Sequence, residues 1–334
     1  MTSAPFRSIA SRLRWGVPIV AAAVVASACS SANSVNVQHN KSGGGAGGYH
    51  YKIAMVTHGG AGDSFWSIVK AGGVQAGKDM GDDFTYQSNG DPTQQSQLID
   101  AAVNQKPDGL IVSMANPEAL KAAIQRAVAA GIPVVTINSG QAQSKAYGAL
   151  SHFGSDETVA GQAVGTGLKQ AGVKSVICVV QEAGNVALEQ RCAGVKSTLG
   201  GTVTNLQVDN NNLPGAQSLI QAKLQADKSV DGVVTLGAQV ASVAEAAIAG
   251  ANSTAKLATF DLNADVAKAV QDGKILFAVD QQPYLQGYIA VVMLTQYKAN
   301  LNVLGGGLPV LTGPNLITKD NAAAVLKLAA AGTR

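Results

Sequence analysis

The feature that most constrains the fold is a short pattern that occurs twice. Lys106-Pro107-Asp108-Gly109-Leu110-Ile111-Val112 is echoed by Ser229-Val230-Asp231-Gly232-Val233-Val234-Thr235. The interval from Asp108 to Asn138, which closes Thr136-Ile137-Asn138, is the same as that from Asp231 to Asp261, which closes Thr259-Phe260-Asp261. A chain that repeats a strand, its crossover and the polar residue ending the next strand is built of two similar halves. Around these segments, short β-branched runs alternate with alanine-rich stretches, the pattern of βαβ units. The sequence predicts strands over 52–57, 109–112, 133–137, 175–180, 232–235, 257–260 and 276–279. It predicts helices over 64–79, 93–105, 117–130, 157–171, 239–249 and 286–300. Strands this apolar fit a parallel sheet buried on both faces. The expected class is α/β, with two doubly wound parallel-sheet lobes. In such sheets ligands gather beyond the carboxyl ends of the strands, so Asn138 and Asp261 are expected to face one crevice from opposite lobes. The alternative is that both are ordinary N-caps of the helices that follow.

The N-terminus carries Arg7, Arg12 and Arg14, then the apolar run 16–28, then small residues before Cys29, the order of an export signal. That run is too short to span about 30 Å of hydrocarbon as a helix. Ala26-Ser27-Ala28-Cys29 resembles the lipobox of bacterial lipoproteins, which implies a signal peptide over 1–28 and lipid on Cys29. The lipid would hold the protein at the cell membrane on its extracytoplasmic side. Residues 29–50, rich in Ser, Asn and Gly, read as a flexible tether. Outside the cytosol disulfides persist, so Cys178 and Cys192 are expected to pair. Such a bridge stabilises by about 3 kcal/mol. Two buried thiols are the alternative.

The chain has 24 Lys+Arg against 21 Asp+Glu. Three of those arginines belong to the signal, so the rest is formally balanced and offers no electrostatic footprint for nucleic acid. Catalytic motifs fail. Gly43-x-Gly45-x-x-Gly48 precedes the first strand instead of following it. Gly72 to Lys78 mimics a phosphate loop, but Asp79 stands where Ser or Thr is required. The paired carboxylates Asp82 and Asp83 read as a solvated turn. No metal site, cofactor or enzymatic activity is expected.

What stands out is Gly62-Asp63-Ser64-Phe65-Trp66, directly after the first strand. Only 4% of the chain is aromatic. The adjacent rings therefore form a concentrated pair, suited to the apolar C–H face of a sugar or cyclic polyol while polar side chains meet its hydroxyls. They could instead pack beneath the first helix.

This block, together with Pro107-Asp108-Gly109, Gly131-Ile132-Pro133, Ser155-Asp156, Phe260-Asp261 and Gln281-Gln282-Pro283, resembles the ribose-binding-protein-like branch of type I periplasmic binding proteins. The resemblance covers about residues 51–334. It implies two lobes, 51–154 plus 282–307 and 155–281 plus 308–334, joined by three crossover strands. It implies capture of a neutral monosaccharide or polyol and delivery to the permease of an ABC importer, by a monomer. By motif, Asp63, Phe65, Trp66, Asn138, Arg191, Asp261 and Gln281 would contact ligand. The chain departs from ribose binders at Asn138-Ser139, at Glu157 and at Gly237-Ala238-Gln239. Glu157, Gln239 and Asn211 could fill the missing roles or serve as caps and loops. A repressor of the same core would need a helix-turn-helix where this chain has its signal. A receptor presenting a sugar or autoinducer to a sensor kinase remains the rival reading.

Overall fold

The computed structural model describes residues 48–60 and 62–334. The expected signal, the lipidation site Cys29 and nearly all of the tether lie outside the described residues. In chain order the strands are β1 (Lys52–Thr57), β2 (Asp83–Ser88), β3 (Gly109–Ser113), β4 (Val134–Ile137), β5 (His152–Ser155), β6 (Ser175–Val180), β7 (Thr202–Gln207), β8 (Gly232–Thr235), β9 (Lys256–Phe260), β10 (Ile275–Asp280), β11 (Val310–Gly313) and β12 (Asn315–Thr318). Between them run α1 (Ser64–Met80), α2 (Pro92–Asn104), α3 (Pro117–Ala129), α4 (Gln141–Ser144), α5 (Glu157–Gln170), α6 (Val186–Leu199), α7 (Leu213–Ala226), α8 (Ala238–Gly250), α9 (Ala264–Gln271), α10 (Pro283–Asn300) and α11 (Ala322–Ala330).

Two six-stranded sheets result, ordered β11-β5-β4-β3-β1-β2 and β12-β10-β9-β8-β6-β7. All pairings are parallel except β10 with β12. The two-residue period of a strand explains why the central strands are apolar throughout. In β6, Ile177 and Val179 pack under α7 and α8, whereas Val176, Cys178 and Val180 pack under α5 and α6. In β1, Ala54 and Val56 face α2 and α3, and Ile53 and Met55 face α1 and α10. Each valine, isoleucine or methionine among them, taken from water, contributes roughly 1.5–3 kcal/mol.

The echoed aspartates have matching structural duties. Asp108 accepts a hydrogen bond from the Lys52 backbone at 3.0 Å, and Asp231 accepts from Lys174 and Ser175 at 2.9 and 2.7 Å. Each pins the start of the neighbouring strand. The two lobes also share a way of packing helices. A Cβ on Gly287 in α10 would lie 2.0 Å from the Val69 carbonyl oxygen in α1, and one on Gly161 in α5 would lie 2.2 Å from that of Arg191 in α6. Glycine permits these two backbone-to-backbone crossings, and the second sets the position of Arg191.

The chain passes between sheets after β5, after β10 and between β11 and β12. Val310–Gly313 hydrogen-bonds to β5, so this strand sits in the first sheet although the expected boundary put everything from 308 onward in the second lobe. The physical reason is that a crossing strand belongs to the sheet whose free edge satisfies its backbone groups. Cys178 and Cys192 are disulfide-bonded, with 5.9 Å between their Cα atoms, tying β6 to α6. Asp82 is not a solvated turn residue: it accepts from the Tyr51 backbone and from the Thr295 hydroxyl. No helix among the described residues is long and apolar enough to cross a membrane.

Candidate functional site

The carboxyl ends of β1, β4, β6, β8, β9 and β10 converge on a crevice between the lobes, around a cavity of about 40 Å³. Asn138 and Asp261 both stand there with left-handed backbone, at φ 61 and 66. Neither caps a helix: Gly140 is the N-cap of α4 and Asn263 that of α9. The positive φ turns the chain sharply off the strand end and leaves each side chain free for the crevice.

Asp63 does cap a helix, accepting from the Phe65 N–H at 2.9 Å, and also lines the cavity. Burial and the neighbouring Glu182 carboxylate push its pKa up to about 6, against the opposing pull of the Phe65 and Trp66 amides and of Asn210. Phe65 and Trp66 meet edge to face with centroids 5.1 Å apart. Trp66 is 4% exposed and packed against the core of the first lobe, and it also borders the cavity.

Gln281, at the crossing after β10, joins the two echoed residues. It accepts from the Asn138 amide at 3.3 Å and donates to Asp261. Burial raises the Asp261 pKa to about 7, only partly countered by Arg191 and by the bond from Gln281.

Arg191 is 2% exposed and lines the cavity, but its fork is committed elsewhere. It donates to both oxygens of Glu157 at 2.6 and 3.1 Å and to the Leu236 carbonyl at 3.0 Å, with its guanidinium 4.5 Å from the centre of the Phe260 ring. Burial alone would lower its pKa, yet the surrounding carboxylates, Glu157 first and then Asp261 and Glu182, together outweigh it and hold it above the ordinary value. This corrects the expectation for Glu157, which is a partner of Arg191 and not part of the cavity wall. A bidentate pair is the geometry that a guanidinium fork and a carboxylate satisfy best, and it turns the fork away from the cavity.

Asn211 is likewise absent from the inner cavity and lines a wider cleft beside it, whereas its neighbour Asn210 reaches the inner wall. Gln239 borders the cavity and bonds across the lobes to the Gly62 carbonyl at 2.9 Å.

Among the polar wall residues, His58, Gln181, Glu182 and Asn185 were not singled out by the sequence. Their signal was their place just beyond β1 and β6, where the rule about strand ends points as firmly as it does for Asn138. Asn185 accepts from Ser139 of the opposite lobe at 3.0 Å and donates to Glu182 at 2.7 Å. His58 bonds Ser113 at 2.7 Å and lies 3.7 Å from Glu182, and burial then Arg191 push its pKa down to about 3, so its ring is neutral. With Val186 N–H donating to the Ala115 carbonyl at 3.0 Å, these contacts hold the lobes together across the crevice. The site is thus a set of carboxylates and amides beside an aromatic pair. Among the described residues no cluster of His, Cys, Asp and Glu has metal-binding geometry.

A family model described as periplasmic binding protein domain matches residues 53–301. The crystal structure of a carbohydrate transporter from Acidothermus cellulolyticus 11B, in complex with myo-inositol, is 47% identical, with a TM-score of 0.84 over 85% of this chain and 100% of that one. A periplasmic sugar-binding protein of an ABC sugar transporter from Legionella pneumophila, at 20% identity and TM-score 0.74, shares the fold over 79% of this chain and 100% of its own. A xylose/arabinose-binding protein from Sulfolobus acidocaldarius is 26% identical over 72% of this chain, which spans 64% of that protein's length. A D-ribose/D-allose-binding protein from Pseudomonas aeruginosa is 25% identical over 78% of this chain and 84% of its own. The family match runs from the first strand to the end of α10, through both lobes and the crevice between them, so the chain belongs to the periplasmic binding protein domain family, whose members bind substrates and are not enzymes.

Proposed function

We propose that this protein captures a neutral sugar or polyol between its lobes and hands it to the permease of an ABC importer, held at the outer face of the membrane by lipid on Cys29. The observation that carries the reading is the crevice itself: Asp63, Asn138, Asp261 and Gln281 present planar oxygens and amides beside Phe65 and Trp66. That set suits a ring with hydroxyls around its edge and C–H groups on its face. The 47% identity to a myo-inositol complex supports the ligand class. A thermal-shift series with myo-inositol, D-ribose, D-xylose, L-arabinose and D-glucose tests it. At 100 times its dissociation constant a cognate ligand adds about 2.7 kcal/mol, and no shift with any polyhydroxy compound would reject the reading. Acyl labelling that persists in Cys29→Ala would reject the anchor.

Affinity should depend on pH with a definite sign. Hydroxyls that donate to Asp63 and Asp261 favour the ionised carboxylates, whereas burial holds these groups' pKa values near 6 and near 7 in the free protein. At lower pH both must lose a proton on binding, which weakens it. Affinity is expected to rise as pH increases through 6 to 7 and to level off above. Titration calorimetry across that range, in buffers of different ionisation enthalpy, reads both the affinity and the proton release. A flat profile would remove both carboxylates from ligand contact.

Closure is the second measurable consequence. Asp63 and Asn138 belong to one lobe and Asp261 and Arg191 to the other, so full contact needs both lobes on the ligand, with the crossings as hinges. Cognate ligand should shrink the radius of gyration in solution scattering. It should also change the emission of Trp66, the only tryptophan after Cys29. Calorimetric binding without compaction would refute closure.

A further inference from the structure

A second cavity, of about 710 Å³, adjoins the inner one and shares His58, Gln181, Glu182, Asn185 and Asn210 with it. Both lobes wall it. Asn89 and Asp91 come from the turn between β2 and α2, and Asp209 and Asn211 from the loop between β7 and α7. Its volume lies in the range of sites that hold whole small molecules, whereas the inner cavity, about 40 Å³ with the lobes in contact across it, takes a ring only when the hinge parts them. No lysine or arginine lines the larger cavity among the described residues, and the polar side chains on its walls are mostly amides and carboxylates. An anionic substituent would be repelled there, while hydroxyl groups would find acceptors on several sides.

Gln181 lies where the cavities meet. It follows β6, is 8% exposed, and its Oε1 accepts no hydrogen bond. Gly237 leaves it room, since a Cβ there would stand 2.9 Å from Gln181 Nε2. A buried amide oxygen without a donor is costly, and a hydroxyl at the junction would satisfy it.

We propose that the outer cavity is a second subsite and that the preferred ligand is a neutral glycoside. Its first ring occupies the inner site and its second hydroxylated unit lies among Asn89, Asp91, Asp209 and Asn211, with Gln181 accepting a hydroxyl between them. This deepens the function proposed above and rests on it.

Titration calorimetry on the full chain tests it with two pairs, myo-inositol against galactinol and D-galactose against melibiose. In the pair whose free ring binds, the glycoside is expected to bind at least about tenfold more tightly. That advantage should fall below about threefold in Asp209→Ala/Asn211→Ala, whose fold is checked by circular dichroism. A free ring that binds as well as or better than its glycoside overturns the second subsite and leaves the function standing. An advantage that survives the double substitution overturns its location. If neither member of either pair binds, the proposal falls together with its ligand class.

Discussion

Glu157→Ala is expected to lower the free energy of unfolding by about 3–5 kcal/mol, the cost of stripping one partner from a buried ion pair. The guanidinium of Arg191 would keep the Leu236 carbonyl as its one hydrogen-bond acceptor, the face of the Phe260 ring, and the weaker pull of the Asp261 and Glu182 charges. It cannot shed its charge as a lysine would. A drop of ~10 °C in melting temperature follows for a domain of this size. Replacing both partners, as Glu157→Leu/Arg191→Met, should recover most of that loss, since an apolar pair of similar volume avoids the desolvation of two charges. Urea titrations of wild type and both variants decide the point. A single variant that loses less than about 1 kcal/mol would show that the pair does not organise the second lobe.

Asp261→Ala should weaken ligand binding by about 100-fold or more. Each hydrogen bond from a hydroxyl to a charged group is worth about 1.5–3 kcal/mol, and a carboxylate at the centre of the crevice can accept two. The substitution also deprives Gln281 of an acceptor and so loosens its link to Asn138. Stability should move differently. A carboxyl whose folded pKa is raised to about 7 carries a penalty that is fully present only above that pH. Removing it should leave the ligand-free protein at pH 8 no less stable than wild type. A residue that costs the fold and serves the ligand gives this signature, and calorimetry with thermal melts reads both halves. Unchanged affinity for the ligand found by screening would take Asp261 out of the site. Parallel losses of affinity and stability would make it a structural residue.

The sequence disclosed what rests on local periodicity. The strands over 52–57, 175–180 and 232–235 coincide with β1, β6 and β8, because strands buried on both faces must be apolar at every position. The edge strands β2 and β7 escaped notice for the same reason. Asp83-Phe84-Thr85-Tyr86-Gln87-Ser88 alternates exposed and half-buried residues, so it has no apolar run to announce it. The echo around Asp108 and Asp231 was legible because the same turn is needed twice, once to start each lobe's third βα unit against its first strand.

The crevice was legible only where a residue ends a strand. Asn138 and Asp261 follow β4 and β9, and Asp63 and Gln281 lie just beyond β1 and β10, so topology alone directs them to one place. Partner choice within that place is different in kind. Arg191 could have met Asp261, a ligand or Glu157, and nothing in the spacing ranks these. Glycines at 161 and 194 let α5 and α6 touch backbone to backbone, which brings the first turn of α5 against Arg191 and settles the matter in favour of Glu157. The same holds for Asn210 and Asn211, adjacent residues whose assignment to the inner or outer cavity depends on how the loop after β7 meets the opposite lobe. Sequence by itself determined the class of fold, the two halves and the strand ends that carry polar groups, because burial imposes a pattern on neighbouring residues. Which polar groups remain available to a ligand was decided by the tertiary structure, because ion pairs and hydrogen bonds are settled by distances of a few ångströms between residues far apart in the chain.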